Sequence, residues 1–295
     1  MEYICCDCPR RCGALRSDKK GAGFCLSGAE LRVARAAPHY GEEPCISGSR
    51  GSGAIFFTGC NLRCVFCQNH EISRGMGGRA LSVPELRDTM LRLRDEGVHN
   101  INLVTPSHYV RQIAEALSGL SLGIPVVWNS SGYDSVESLR MLEGLVQVYM
   151  PDFKYSDAEL ARRYSAAPDY PEVAAAAIME MFRQTGAYEL DSEGILQRGL
   201  LIRHLILPGQ ELNTKEVISF IEENFKSGEV LFSLMSQYTP MPGLEKFPEL
   251  MQRVDAGTNR RLIGYMSRHG ISEGYWQEPD SATDEMIPEF DLTGV

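Results

Sequence analysis

Three cysteines, Cys60, Cys64 and Cys67, are spaced C-x3-C-x2-C within Gly59-Cys60-Asn61-Leu62-Arg63-Cys64-Val65-Phe66-Cys67-Gln68-Asn69. They directly follow the apolar, strand-like run Ala54-Ile55-Phe56-Phe57. Three thiolates on one short loop can hold three irons of a [4Fe–4S] cube. Iron–sulfur clusters normally take four cysteines. A three-cysteine loop therefore leaves one iron open to substrate or cofactor, the same logic that separates catalytic from structural metal sites.

A second group of cysteines precedes it. Cys5, Cys8, Cys12 and Cys25 read C-x2-C-x3-C-x12-C, with Cys6 as an alternative to Cys5. Four thiolates at this spacing close a tetrahedral zinc site or hold a second iron–sulfur cluster. The first forty residues carry too little apolar sequence to build a core, so a metal would supply their folding energy. Cys45 lies too far along the chain to be assigned to either group.

The elements that must position these groups are legible as strand–helix alternation. Apolar strand candidates cover 54–58, 100–105, 124–129, 146–154, 200–207 and 230–237. Several are continuous apolar runs, as expected for parallel strands covered on both faces. Between them, Ser82-Val83-Pro84-Glu85 combines an N-cap serine, an early proline and a capping-box glutamate. Leu86, Met90 and Leu93 then share one helical face. Further helices are expected over 109–120, 135–145 and 171–185, and Asn213-Thr214-Lys215-Glu216 reads as a second capping box opening a helix to 225. Strands alternating with helices imply βαβ units. The expected fold class is α/β: a partial (β/α)6 TIM-like barrel with a small N-terminal cysteine-rich metal-binding segment. The expected division is 1–45 for that segment, 46–270 for the barrel core and 271–295 for an acidic C-terminal tail that either packs across the barrel mouth or is a disordered end. In βα barrels chemistry sits at the carboxyl ends of the strands.

Bulk properties fit an enzyme of a reducing compartment. The 295 residues are 43% hydrophobic, enough for one large domain and an appendage. Nine cysteines cluster in short-spaced groups, which points to metal binding and a cytoplasmic location. A net charge of −10 argues against nucleic acid as the main partner. No apolar run spans a bilayer, and Met1-Glu2-Tyr3-Ile4-Cys5 lacks the features of a signal peptide. Gly48-Ser49-Arg50-Gly51-Ser52-Gly53 lacks the Gly-Lys-Ser/Thr of a phosphate loop and precedes a strand.

The string from Gly59 to Asn69 resembles the cluster loop of the radical S-adenosylmethionine (SAM) superfamily, especially pyruvate formate-lyase activating enzyme and its relatives. Phe66 stands before the third cysteine and Asn69 follows it. The resemblance implies that SAM chelates the open iron through its amino and carboxylate groups. It also implies that the cluster donates one electron and cleaves SAM to a 5′-deoxyadenosyl radical that abstracts hydrogen. Cys60, Cys64 and Cys67 are then the catalytic ligands, with Phe66 and Asn69 beside the cofactor.

The strand ends extend the resemblance. Many radical SAM proteins have Gly-Gly-Glu after the second strand, binding the SAM amino group. Here the sequence is Leu103-Val104-Thr105-Pro106-Ser107-His108. The Thr105 and Ser107 hydroxyls and nearby carbonyls either take that role or form a simple turn with Ser107 as N-cap. His108 is either a proton carrier or a first-turn helix residue. Asn129 and Ser130 stand where the activating enzyme has Asp and Thr, which help bind a monovalent cation beside the SAM carboxylate. Asp152 and Lys154 face the same way on a strand and can partner each other when buried. They match an Asp-x-Lys of the family, the Lys near the SAM carboxylate and the Asp at the cation; Met150 matches too. Arg203 matches a SAM-binding arginine, His204 reads as a packing residue, and Gln237 replaces a histidine near SAM. Extra cysteines before the first strand, with Glu43-Pro44-Cys45-Ile46-Ser47-Gly48, most resemble paralogues of the true activase. The resemblance implies a flavodoxin or ferredoxin-type electron donor. It leaves two substrates open: a glycyl-radical enzyme as protein substrate, or a small molecule or peptide.

Overall fold

The computed structural model describes residues 2–17, 21–75, 77–277 and 288–295. In chain order the strands are β1 (Tyr3–Ile4), β2 (Leu15–Arg16), β3 (Leu31–His39), β4 (Ser52–Phe57), β5 (Arg79–Leu81), β6 (Ile101–Val104), β7 (Val126–Ser130), β8 (Val148–Pro151), β9 (Glu189–Leu190), β10 (Leu196–Leu205), β11 (Leu231–Met235) and β12 (Gly274–Trp276). The helices are α1 (Pro44–Ser47), α2 (His70–Arg74), α3 (Val83–Asp95), α4 (Val110–Leu117), α5 (Val136–Arg140), α6 (Ala158–Ser165), α7 (Tyr170–Thr185), α8 (Glu211–Asn224) and α9 (Ala256–Arg268).

β1 and β2 form a separate hairpin; the central sheet has the order β12-β11-β10-β8-β7-β6-β4-β3-β5. From β4 to β12 every neighbouring pair on this path is parallel, whereas β3 lies antiparallel to β4 and β5. The expected α/β class and mostly parallel sheet are present. β12 adds a strand beyond the six expected. Residues 31–39, inside the cysteine-rich stretch, extend the core sheet as β3.

Alternation along each strand divides the side chains between two faces. Ile55, Phe57, Leu103, Trp128, Tyr149, Ile202 and Phe232 pack with apolar residues of α3, α4, α7 and α8. On the other face, Val127, Met150, Leu201 and Leu231 pack against Cys45 and Ile46 of α1. Ala54, Phe56 and Val104 pack there against Phe290. Both faces are covered, which accounts for the unbroken apolar runs.

The capping box at Ser82 and Glu85 is formed on both sides. Asn213 differs from expectation. α8 already starts at Glu211 with Gln210 at its N-cap. Asn213 lies inside the first turn, where its amide accepts from Ser156 N at 2.8 Å and donates to Lys154 O at 3.0 Å. The helix expected over 135–145 ends at Arg140 and gives way to turns. Of the acidic tail, residues 278–287 lie outside the described residues. The described end, 288–295, runs along β3: Leu292 N donates to Ala34 O, Ala36 N donates to Thr293 O, and Arg35 pairs with Asp291 at 3.0 Å.

His204 and Thr214 tie β10 to α8. His204 Nδ1 lies 2.6 Å from Phe153 O and Nε2 lies 2.9 Å from Thr214 Oγ1. Burial pushes the His204 pKa down to about 4 and that of the equally buried His108 to about 3. Both imidazoles are therefore neutral in the folded chain. Below pH ~6.5 the unfolded chain takes up protons that the folded chain refuses, so stability rises with pH across that window. The contribution is complete above pH ~6.5 and is lost as pH falls toward about 4. Each group contributes up to ~1.4 kcal/mol per pH unit. Urea unfolding at pH 7 and pH 5 is expected to differ by about 2–4 kcal/mol. His204→Gln is expected to remove close to half of that difference.

Candidate active site

The cysteine loop begins at Gly59, and its first turn needs glycine. Gly59 has φ +82, and a Cβ there would lie 2.6 Å from Ser27 Oγ and 2.7 Å from Cys25 O. The N-terminal segment is thus packed directly on the loop. Gly59→Ala is expected to cost at least ~2 kcal/mol, from left-handed strain plus the clash. A urea midpoint unchanged by the substitution would contradict this packing.

The remainder of the loop is held from several sides. His108 Nε2 donates to Thr58 O at 2.8 Å, and Asn61 Nδ2 donates to Tyr133 O at 2.7 Å. Arg74 donates to the Cys64 and Val65 carbonyls, and Arg10 Nε donates to Asn61 O at 2.8 Å. The neutral, buried His108 is thus a clamp on the loop's start. Cys60 and Cys64 are buried and Cys67 is partly buried. Leu62 N and Arg63 N donate to Cys60 Sγ at 3.3 and 3.5 Å, and Ser165 Oγ donates to Cys64 Sγ at 3.1 Å. Burial pushes the Cys60 thiol up to about 12, with Cys67 and Cys64 as electrostatic neighbours. Among the described residues, no three His, Cys, Asp or Glu side chains converge on one metal ion. A cube binds each thiolate to its own iron, so three loop thiols need no common point. Three clustered cysteines, of which Cys60 and Cys64 already receive N–H or O–H donors, suit such a cluster.

Phe66 and Asn69 flank the cysteines differently. The Phe66 ring sits among Tyr155, Tyr164 and Tyr238, edge-on at 6.1 to 6.5 Å. Asn69 is the N-cap of α2 without a capping side-chain bond, and its Oδ1 is buried without a partner. Thr105 turns the chain after β6 at φ +60, a strained value for a β-branched residue, and its N–H donates to Asn129 O. Ser107 opens a short 3-10 turn rather than capping α4.

Beyond the loop, the strand ends bring Asn129, Asp152, Lys154 and Arg203 together. Asp152 forms a parallel bridge with Arg203, which pairs in register with Ser233. Lys154 Nζ lies 2.5 Å from Asp152 Oδ2. Arg203 spends its fork on three partners: Nε on Asp152 Oδ1 at 3.0 Å, Nη1 on Glu42 Oε2 at 2.9 Å and Nη2 on Asn129 Oδ1 at 2.8 Å. Burial opposes the charge on Asp152, yet Lys154 and Arg203 outweigh it and hold the carboxyl below the ordinary range. Burial likewise opposes the charges on Lys154 and Arg203, and the carboxylates raise both pKa values. The Lys154 charge also acts on Cys64 and Cys67. Charged side chains therefore run from beside the cysteine loop: Lys154, then Asp152 and Arg203. Tyr170 OH accepts the Lys154 N–H at 2.8 Å and sits against the Ser131 and Asp152 carbonyls, fixing the turn that carries the pair.

Ser130 is not part of this group. Its hydroxyl donates to Asp134 at 2.5 Å and accepts from Gly132 N, so it serves the turn after β7. His204 faces α8, in keeping with a packing role. Gln237 is partly buried, with its Oε1 unpartnered. Sequence reasoning missed Glu42 and Asn102. Glu42, just before α1, accepts from Asn102 Nδ2 at 3.0 Å and Asn129 Nδ2 at 3.1 Å. The sequence carries no signal for them, because acids are rarely interior.

The N-terminal cysteines lie beside the loop. Cys5, Cys8 and Cys25 are buried, whereas Cys6 and Cys12 are exposed. Burial pushes the Cys8 thiol up to about 12, and its electrostatic neighbours are Cys25, Cys5 and Cys12, without Cys6. Arg16, 2% exposed, donates to Cys25 Sγ at 3.4 Å and to the Gly28 and His108 carbonyls at 3.0 Å. A buried guanidinium needs partners, and the Cys25 and Cys5 sulfurs are its strongest electrostatic neighbours.

The Radical SAM superfamily model matches residues 54–221, from β4 into α8. Uncharacterized protein MJ0674 of Methanocaldococcus jannaschii is 30% identical over 259 residues, covering 85% of this chain and 70% of that one. Streptococcus suis SuiB, in the structure bound to precursor peptide SuiA, superposes with a TM-score of 0.52 at 16% identity, over 78% of this chain and 49% of SuiB. The SAM-bound SuiB structure gives 0.51 at 15% identity, over 80% and 49%. The chain spans about half the length of SuiB, and at this identity the likeness shows the fold alone. No helix among the described residues is long and apolar enough to cross a membrane. The family implies a [4Fe–4S] cluster and SAM. The chain belongs to the radical SAM superfamily.

Proposed function

We propose that this protein is a radical SAM enzyme acting on a small molecule or a peptide segment. The observation that carries the reading is the pairing of the cysteine loop with an enclosed set of charged strand ends. Cys60, Cys64 and Cys67 would hold the cluster, and Lys154, Asp152 and Asn129 would line the SAM side. A [4Fe–4S] cluster and SAM held there would supply one-electron reductive cleavage of SAM, with methionine released, and hydrogen abstraction from the substrate.

The chain's own residues do the remaining work. Arg203 and Lys154 keep Asp152 ionised, and Tyr170 holds the backbone that presents both. Phe66 and the tyrosines around it exclude water from one side of the loop. The charged side chains are nearly closed off, at 11–16% exposure for Glu42, Asp152, Lys154 and Arg203. That enclosure favours a small group reaching inward. The activase reading, hydrogen abstraction from a glycine of a partner protein, draws on Met150, Asp152 and Lys154 matching the activating enzymes.

Cys5, Cys8, Cys12 and Cys25 are the second metal site of this proposal, holding either zinc or another iron–sulfur cluster. The proposed division is a metal-bearing 1–45, a catalytic 46–270 and a C-terminal 271–295, with β3 and β12 reaching across it into the central sheet and Glu42 into the strand-end cluster. A flavodoxin or ferredoxin-type protein is the proposed electron donor.

The test is anaerobic reconstitution, iron and zinc counts, then reduction with SAM and assay for 5′-deoxyadenosine. About four irons with product supports the reading, with zinc or nothing at the N-terminal site; about eight irons makes that site a second cluster. A fully loaded protein that never cleaves SAM contradicts it.

A further inference from the structure

A hydroxyl from outside the cysteine loop is aimed at one of its sulfurs. Ser165, the last residue of α6, is 2% exposed, and its Oγ donates to Cys64 Sγ at 3.1 Å. A serine hydroxyl carries a single hydrogen. With that hydrogen on the sulfur, Ser165 Oγ accepts from Tyr155, whose OH lies 2.8 Å away. The donors therefore run in one direction, from Tyr155 OH to Ser165 Oγ to Cys64 Sγ. Tyr155 is fully buried, with its ring 5.2 Å from Tyr170, 6.4 Å from Tyr164 and 6.5 Å from Phe66.

The end of α6 is fastened to the loop at further points. Val65 N donates to Tyr164 O at 2.9 Å. Arg10 bridges the two segments, with Nη2 on Ser165 O at 2.9 Å, Nη1 on Ala166 O and Nε on Asn61 O at 2.8 Å. Ser165 cannot leave the sulfur without straining these bonds. Two buried hydroxyls could satisfy each other, yet here one hydrogen goes to a sulfur. A neutral thiol is a weak acceptor, whereas a metal ligand is a charged thiolate. The donor set thus fits a sulfur that carries charge.

Hydrogen bonds to the sulfurs are among the levers that set the potential of an iron–sulfur cluster. Reduction adds one electron, and no bond at Cys64 forms or breaks. The added charge spreads onto the sulfur ligands, so an O–H aimed at Sγ favours the reduced form over the oxidised one. Donation from Tyr155 polarises that O–H further.

We infer that Ser165 and Tyr155 tune the cluster, raising its reduction potential through the hydrogen bond to Cys64. Both act through Cys64 and are positioning residues. The inference rests on the cluster proposed for this loop.

The experiment is an anaerobic redox titration of the reconstituted full-length protein without SAM, with dithionite as reductant. Electron paramagnetic resonance follows the signal that Cys64→Ala abolishes, and the variants are compared at equal iron content. Ser165→Ala is expected to make the midpoint more negative. At a fixed potential its ratio of reduced to oxidised cluster falls ~10-fold, which is 59 mV for one electron. Tyr155→Phe keeps the ring and is expected to shift the midpoint the same way, by ~2- to 3-fold in that ratio. Adding Tyr155→Phe to Ser165→Ala is expected to change little more, because Tyr155 acts through Ser165. Ser165→Thr retains the hydroxyl and is expected to stay near the wild-type midpoint. Unchanged or less negative midpoints in Ser165→Ala and Tyr155→Phe would overturn the inference. Where Ser165→Ala takes up no cluster, Tyr155→Phe decides alone, and an unchanged midpoint overturns it. The expected shifts in a protein that never cleaves SAM would uphold this tuning and count against the proposed function alone. A wild-type chain that loads no cluster would overturn both.

Discussion

Cys64→Ala is expected to lower both iron retention and 5′-deoxyadenosine formation by at least ~100-fold. The scale follows from metal sites generally: losing a hydrogen-bond partner of a ligand costs about 10- to 100-fold, and losing the ligand itself costs more. Cys64 is 7% exposed, and its sulfur accepts from Ser165 Oγ. The loop does not need that thiol to keep its shape. Val65 N bonds to Tyr164 O, Arg74 bonds to the Cys64 carbonyl, and both survive the substitution. The urea midpoint of the metal-free protein is therefore expected to shift little, while iron binding collapses. Ser165→Ala supplies the graded control, because it removes one donor and leaves all three thiols. It is expected to fall within the ~10- to 100-fold range. Equal, small effects for the two variants would mean that Cys64 is a packing residue.

The second large effect concerns Arg203. Arg203→Leu is expected to destabilise the metal-free protein by about 3–5 kcal/mol, the cost of stranding buried charges by removing one partner. The guanidinium contacts Asp152, Glu42 and Asn129, and without it the Glu42 and Glu43 carboxylates face each other. Arg203→Lys is expected to recover only part of the loss, because an ammonium cannot reproduce a planar fork. Adding Glu42→Gln to Arg203→Leu is expected to restore stability, since it removes one stranded charge. Urea unfolding of the wild type, Arg203→Leu, Glu42→Gln and the double variant measures this as a double-mutant cycle. A loss below ~1 kcal/mol would place Arg203 outside the structural network and leave its fork free for a ligand.

Much of this was legible in the sequence, for definite reasons. Parallel strands covered on both faces leave unbroken apolar runs, so β4, β6, β7, β8, β10 and β11 all fall on segments read as strands. β3 escaped because its apolar positions are interleaved with Arg32 and Arg35 and it ends at Pro38-His39. Asn213 looked like a cap because Asn, Thr and Glu recur at cap spacing; the structure uses its amide to brace the Lys154 turn instead. At the site, alternation along a strand placed Asp152 and Lys154 on one side, and both are there. Ser130 failed for the same reason: it is next to Asn129, so it faces the other way. Glu42 and Glu43 were unreadable as interior groups, because acids are almost never fully buried unless paired. Only the fold shows that the turn before α1 tucks them beneath Arg203.

The central claim is that the Cys60–Cys67 loop carries a cluster with one iron open to SAM. Its most direct test is electron paramagnetic resonance on the anaerobically reconstituted, reduced protein, recorded before and after SAM is added. The account predicts a reduced [4Fe–4S] signal whose g values shift on adding SAM, and loss of that SAM-sensitive signal in Cys64→Ala. A signal that ignores SAM, or one that survives unchanged in Cys64→Ala, would contradict it.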